Sequence, residues 1–315
     1  MISSLNHVLR SKNKKPIVYD VYYTKNRVKK PLIIFCHGYK GFKDWGAWNL
    51  VGKEFAKNNF FFVKFNFSYN GGTLENPIDF PDLNAFGNNN YSHELDDLER
   101  VLSYFKKGKH LFKNIDLNNI ILIGHSRGGG SVLIKASENS IIKNVISWAG
   151  VCDFKTRFKK ETSEEFKDWK KTGVMFVENL RTKQFMPHFF QFYEDFKENE
   201  DRFNIQSAVK KLTIPYLIIH GEKDQSILPI EGKNLLSWNS NNKFKLIKNG
   251  NHTFSAKHPW KSDSLPIELK KVVNSTINFI KSNISSSPLN FISIKNLSSW
   301  SYNGHHKRNS KRTYC

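Results

Sequence analysis

Gly124-His-Ser-Arg-Gly128 is the stretch of this 315-residue chain with the most chemical content. It directly follows the apolar run Asn119-Ile-Ile-Leu-Ile-Gly124 and opens a segment of helical spacing, Gly128-Gly-Gly-Ser-Val-Leu-Ile-Lys-Ala136. A serine on a sharp strand-to-helix turn is held in a strained backbone that projects its Oγ, and the flanking glycines let neighbouring backbones close in. A helix starting just after Ser126 aims free N–H groups and its positive end at any oxyanion forming there. The pattern therefore predicts a nucleophilic Ser126. Its oxyanion donors are expected to be the backbone N–H of Arg127 and that of Tyr39, in His37-Gly-Tyr-Lys-Gly41. A phosphate-binding glycine turn fits poorly, because the chain contains neither G-x-x-x-x-G-K-[ST] nor G-x-G-x-x-G.

A serine hydroxyl needs a base, and the base needs an acid to orient it. Pro215-Tyr-Leu-Ile-Ile-His220 is an apolar run followed by Gly-Glu-Lys-Asp224, which puts a carboxylate at a strand end. After the next run, Lys243-Phe-Lys-Leu-Ile247, the turn Lys248-Asn-Gly-Asn-His252 supplies a histidine. Ser126, Asp224 and His252 thus arise from three strand ends, in the order serine, acid, base. Asp153 and His258 are the competing acid and base, while Glu222 reads as a loop residue. His37, His125 and His220 read as scaffolding, with rings bonded to nearby backbone.

The elements that must position these groups alternate. Pro16–Tyr23, Pro31–Cys36, Phe60–Phe67, Asn119–Gly124, Val145–Trp148, Pro215–His220 and Lys243–Ile247 read as strands, several of them continuously apolar. Helical spacing marks Ala47–Asn58, Tyr91–Lys107 with a capping signal at Ser92, and a closing helix near Leu265–Asn283. Strands separated by helix-length segments imply an α/β fold, a mostly parallel twisted sheet with helices on both faces. The segment 151–212 is far longer than an ordinary connection and carries charge of both signs with many aromatics, so a helical cap insertion is expected there. With the 70–90 loop it is expected to select substrate. Trp45, Phe86, Met175 and Phe176 are the candidate pocket residues, beside Trp48 and Phe80. Residues 1–283 are expected to form the folded domain, and 284–315 a basic, Ser/Asn-rich, disordered tail.

Composition excludes several classes. With 26 Phe, 11 Tyr and 7 Trp the chain can bury a real core, and no run approaches the ~20 apolar residues of a spanning helix. The start lacks a secretory apolar segment, and three cysteines without CxxC indicate neither a disulfide framework nor a thiolate zinc site. A cytoplasmic protein without metal or cofactor is expected. Forty-nine basic against 28 acidic residues give +21, but the excess is spread out and accompanies Asn, Ile and Phe, as an AT-rich coding sequence produces. No specific nucleic-acid partner and no membrane insertion are expected.

Taken together, HGYKG, GHSRGG, HGEKDQ and GNHTF resemble the α/β-hydrolases, in the dienelactone hydrolase and acyl-peptidase-like branch, close to bacterial serine esterases of the cinnamoyl and feruloyl type. The resemblance runs from about Ile17 to Ile280. It implies a serine hydrolase cleaving a small-molecule carboxylic ester through an acyl-enzyme. Dienelactone hydrolases proper use a cysteine nucleophile where this chain has Ser126, which disfavours lactones. An acylaminoacyl or dipeptidyl peptidase shares the same triad but usually adds a propeller, for which this chain has no room. A catalytically silent protein binding a partner or polyanion is the alternative of another class.

Overall fold

The computed structural model describes residues 1–108 and 114–285; the expected disordered tail lies outside them except for its first two residues. In chain order the elements are β1 (Ile2–Leu9), β2 (Ile17–Tyr23), β3 (Lys30–Cys36), α1 (Trp48–Lys57), β4 (Phe61–Phe65), α2 (Leu83–Gly87), α3 (Tyr91–Lys107), β5 (Ile115–His125), α4 (Arg127–Glu138) and β6 (Ile142–Trp148). After a 3₁₀ turn come α5 (Glu164–Thr172), β7 (Val174–Glu178), β8 (Phe185–Phe189), α6 (Gln191–Glu198), α7 (Ile205–Lys211), β9 (Tyr216–Gly221), α8 (Pro229–Ser237), β10 (Lys243–Ile247) and α9 (Ile267–Ser285).

Eight strands form one sheet in the order β1-β2-β4-β3-β5-β6-β9-β10. From β4 to β10 the pairings are parallel; β1 and β2 add an antiparallel edge. The continuous apolar runs follow from burial on both faces. Leu32, Ile34, Ile120, Leu122 and Ile218 point into one core, packed under α3, α4 and α7. Ile33, Phe35, Ile121, Ile123 and Ile219, one residue out of phase, point into the other, under α1 and α9. Period-two alternation across a covered sheet requires apolar residues at every position. Among the described residues no helix is long and apolar enough to cross a membrane.

The structure adds a strand at Ile2–Leu9, ahead of the first one expected from the sequence; its residues are half-exposed or exposed in the main, and its register shifts between Ser4 and His7. The segment after β6 is not helical alone: β7 and β8 form an antiparallel hairpin. Gly173, at φ 75°, ends α5 in the left-handed conformation and turns the chain directly into β7. Trp169 on α5 then donates its indole N–H to the carbonyl of His188 at 2.7 Å, locking helix to hairpin. Helix α3 is capped by Asn90, whose side chain accepts from His93 N–H at 2.8 Å, not by Ser92.

Candidate active site

Ser126 stands between β5 and α4 with φ 55° and ψ −121°, a backbone that costs a non-glycine residue about 1–3 kcal/mol. The surroundings hold it there. Its N–H donates to Trp148 O at 2.9 Å on the neighbouring β6, and its carbonyl accepts from Gly129 N–H at 2.9 Å and Val151 N–H at 3.2 Å. The turn is also sterically closed. A Cβ on Gly124 would fall 2.1 Å from the Gly128 carbonyl oxygen, and one on Gly38 would fall 2.8 Å from the Ser126 Cβ. The loop after β3 can therefore approach the serine only as glycine. Neither the Tyr39 N–H nor the Arg127 N–H donates to a protein acceptor among the described residues, which leaves both free for an oxygen in the site.

Asp224 follows β9 and is buried. Its Oδ1 accepts from the Ser226 and Ile227 N–H groups, both at 2.9 Å, and its Oδ2 from His252 Nδ1 at 2.9 Å. Burial by itself would raise its pKa; the hydrogen bonds from His220 and His252 and the nearby imidazole outweigh this and hold the carboxyl well below the usual range. Asp224 is thus an anion at neutral pH that fixes the Nδ1 side of His252. The histidine's loop is shaped locally: Asn251 Oδ1 accepts from Thr253 and Ser255 N–H, and the carbonyl of Gly250 lies so near Gly221 that a Cβ there would sit 2.4 Å away. Behind it, buried His125 donates Nε2–H to the His252 carbonyl at 2.8 Å.

Ser126, His252, Tyr39 and Arg127 border one cavity of about 480 Å³. Its walls come largely from the insertion: Phe154, Phe158, Met175, Val177, His188 and Phe192. Of the pocket residues expected from sequence, Met175 lines this cavity. Trp45 packs instead between Trp48 and His258, Phe86 joins Phe42, Phe80 and Met186 in a separate cluster, and Phe176 is 60% exposed on the hairpin. None of residues 70–90 reaches the cavity wall, because that loop packs under the hairpin rather than around the serine. The competing candidates are occupied elsewhere. Asp153 accepts from Lys155 and Thr156 N–H, Glu222 from Asn249 N–H, and His258 Nδ1 from Gly46 N–H. His37 Nδ1–H donates to its neighbour's carbonyl, Gly38 O, at 2.9 Å, and His220 Nε2–H to Ile227 O at 2.8 Å.

Sequence reasoning passed over the side chain of Arg127 and with it His188. The guanidinium carbon of Arg127 lies 4.5 Å from the Tyr39 ring centroid, 5.3 Å from that of Phe192 and 5.5 Å from that of Tyr91. Buried Glu94 on α3 stands 3.3 Å from Arg127 Nη1. The Tyr39 hydroxyl is hydrogen-bonded to His188 Nε2 at 2.7 Å. An arginine next to the serine was visible in GHSRGG; the aromatic partners come from elements far apart in the chain and carried no such signal.

Three histidines around the site are held neutral, chiefly by burial: His37 drops to about 4, and His125 and His188 to about 3. The unfolded chain protonates these rings near pH 6.5 and the native one does not. Stability is therefore complete above pH 6.5 and is lost as pH falls toward their folded values, by up to about 1.4 kcal/mol per pH unit for each ring. Urea unfolding at pH 7.0 and 5.5 should show a clear loss at the lower pH. Equal stability at the two values would mean that these rings are protonated in place.

No family model matches the chain, and no curated protein sequence does. Solved structures do. Est1E from Butyrivibrio proteoclasticus with bound ferulic acid matches with a TM-score of 0.63 at 19% identity, over 85% of this chain and 96% of that one. DcsB in complex with its substrate analogue matches with 0.66 at 16%, over 89% and 99%. A puromycin-hydrolysing peptidase of Mycobacterium tuberculosis matches with 0.59 at 13%, over 88% of this chain but 39% of the peptidase. These likenesses establish the architecture: the chain has the α/β-hydrolase fold.

Proposed function

We propose that the protein is a serine hydrolase that cleaves carboxylic esters, with Ser126 as nucleophile, His252 as base and Asp224 as its orienting acid. The observation that carries this reading is the pair His252 Nδ1–Asp224 Oδ2 at 2.9 Å beside the cavity bordered by a strained Ser126. The Ser126 hydroxyl oxygen attacks the acyl carbon while His252 takes its proton. The carbonyl electrons move onto the oxygen, which the N–H groups of Tyr39 and Arg127 receive. The ester C–O bond then breaks, and the alkoxide leaves as alcohol with the proton from His252. Water, deprotonated by the same imidazole, adds to the acyl carbon; the bond from that carbon to Ser126 Oγ then breaks, the serine takes the proton back from His252, and the carboxylic acid is released.

The aromatic lining, with Phe154, Phe158 and Phe192, favours an acyl group with a flat or extended apolar body. Ferulic acid bound to the structurally similar Est1E supports an aromatic acid as one such group. Labelling with a fluorophosphonate probe tests the reading, because such probes react with an activated serine. Wild type should label and Ser126→Ala should not. A folded wild type that stays unlabelled, or a variant that labels equally, overturns the assignment.

A further inference from the structure

The four charged side chains on the wall of the cavity are all cations: Lys40, Arg127, Arg157 and Lys159. Their carboxylate partners stand behind the wall. Glu94 meets Arg127 from α3, and Glu231 on α8 pairs with Arg157 while also accepting the Cys152 N–H at 3.0 Å. Among the described residues Lys40 donates to the backbone carbonyl of Glu178, at 3.4 Å, and lies 5.2 Å from the Tyr39 ring centroid, while Lys159 makes no ion pair within 4 Å and has Glu165 as a more distant carboxylate neighbour. Each arginine–glutamate pair therefore turns its positive end toward the cavity, and beside them stand two ammonium groups that form no close ion pair among the described residues.

Arg127 is the centre of this arrangement. Aromatic rings pack around its guanidinium, and its one protein hydrogen bond among the described residues is the long contact with Glu94 at 3.3 Å. A guanidinium carries five N–H donors in a planar fork that matches a carboxylate. Rings packed around the group fix its plane, and the donors not used by Glu94 have no protein acceptor among the described residues. In a partly desolvated, apolar cavity such a group discriminates strongly for a charged oxygen acid.

We infer that the ester taken by this site bears a second, free carboxylate, received by Arg127 with Lys40, Arg157 and Lys159 adding to the field. The substrate class is a half-ester of a dicarboxylic acid, or an acid of similar shape with one esterified and one free carboxyl. This rests on the ester-hydrolase reading and adds its specificity.

The test compares mono-4-nitrophenyl adipate with 4-nitrophenyl heptanoate, of similar length but without the charge. Wild type should favour the adipate half-ester about tenfold or more in kcat/KM, with the preference shrinking as salt is raised from 20 to 500 mM. Arg127→Gln combined with Glu94→Gln removes the pair without leaving a lone buried carboxylate, and should bring the ratio of the two esters to one or below. Should that protein fail to fold, Lys40→Gln with Lys159→Gln should lower the same ratio severalfold. A wild-type ratio of one or less, or a ratio unmoved in a folded variant, overturns the inference while leaving ester hydrolysis standing. Turnover of neither ester would instead count against the hydrolase reading. Calorimetry with adipic acid mono-anilide and heptananilide then decides the inference separately: tighter binding of the charged anilide supports it, and equal binding overturns it.

Discussion

Ser126→Ala is expected to lower ester turnover by about 10³-fold or more while the protein remains folded. Removing one oxygen from a site bordered by a cavity leaves no unsatisfied partner, because Ser126 Oγ makes no hydrogen bond to a protein group among the described residues. The backbone that strains the residue is held by Trp148, Gly129 and Val151 through main-chain groups, which alanine keeps. Asp224→Asn should cost a comparable factor by a different route. Asn can present an N–H to His252 Nδ1, which would place the ring proton on Nε2 and disable it as the base for Ser126. The two variants should therefore differ in labelling. The alanine variant should be inert to a fluorophosphonate, and the asparagine variant slow but labelled. Near-wild-type turnover in either would remove that residue from the mechanism.

Asp20→Ala is expected to destabilise the protein by about 3–5 kcal/mol, although Asp20 is not itself on the cavity wall. Asp20 on β2 is fully buried and accepts from Lys43 Nζ at 2.9 Å on both oxygens, from Lys64 Nζ at 2.6 Å and from the Asn6 N–H at 2.7 Å. Lys43 and Lys64 are themselves about 1% and 0% exposed, and share Asp44 as their second carboxylate. Two lysines and two aspartates balance. Alanine at position 20 leaves two buried ammonium groups facing one carboxylate, and neither can reach water. Replacing the ion group as a whole, with Asp20→Leu, Lys43→Met, Lys64→Met and the partly exposed Asp44→Asn, should recover most of the loss, because it removes the charges together and with them the desolvation penalty. A urea-derived loss below 1 kcal/mol for Asp20→Ala would mean that water enters the cluster. The group also ties β2 to β4 and to Lys43 and Asp44, in the loop after β3 that carries Tyr39. Its loss is thus also expected to loosen one side of the candidate oxyanion site.

Much of the architecture could be read directly because a doubly covered sheet leaves a simple trace. Runs such as Leu32–Cys36 and Ile120–Ile123 are apolar at every position, since alternate residues enter the two cores. Helix α3 was legible to its ends, Tyr91 and Lys107, because one face is apolar and the chain is punctuated on both sides. Where burial is partial the trace fades. The hairpin β7–β8 has exposed Phe176 and Phe185 on its surface and buried Met186 and His188 inward, a pattern that composition alone reads as a helix with aromatics.

The sequence by itself determined the chemistry expected of this protein. A serine between glycines at a strand end, followed by an acid and a histidine at later strand ends, is a local pattern, and parallel topology brings such ends to one edge of a sheet. Only the tertiary structure decided what the site faces. Arg127, Tyr39, Tyr91, His188 and Phe192 come from separate elements of the sheet layer and the insertion, and nothing in their spacing along the chain marks them as neighbours. The same holds for Asp20, Lys43 and Lys64, whose places along the chain give no sign that packing removes water from all of them together. Strand ends are set by short-range pattern, whereas the walls of a cavity and the balance of buried charge depend on contacts between residues distant in sequence.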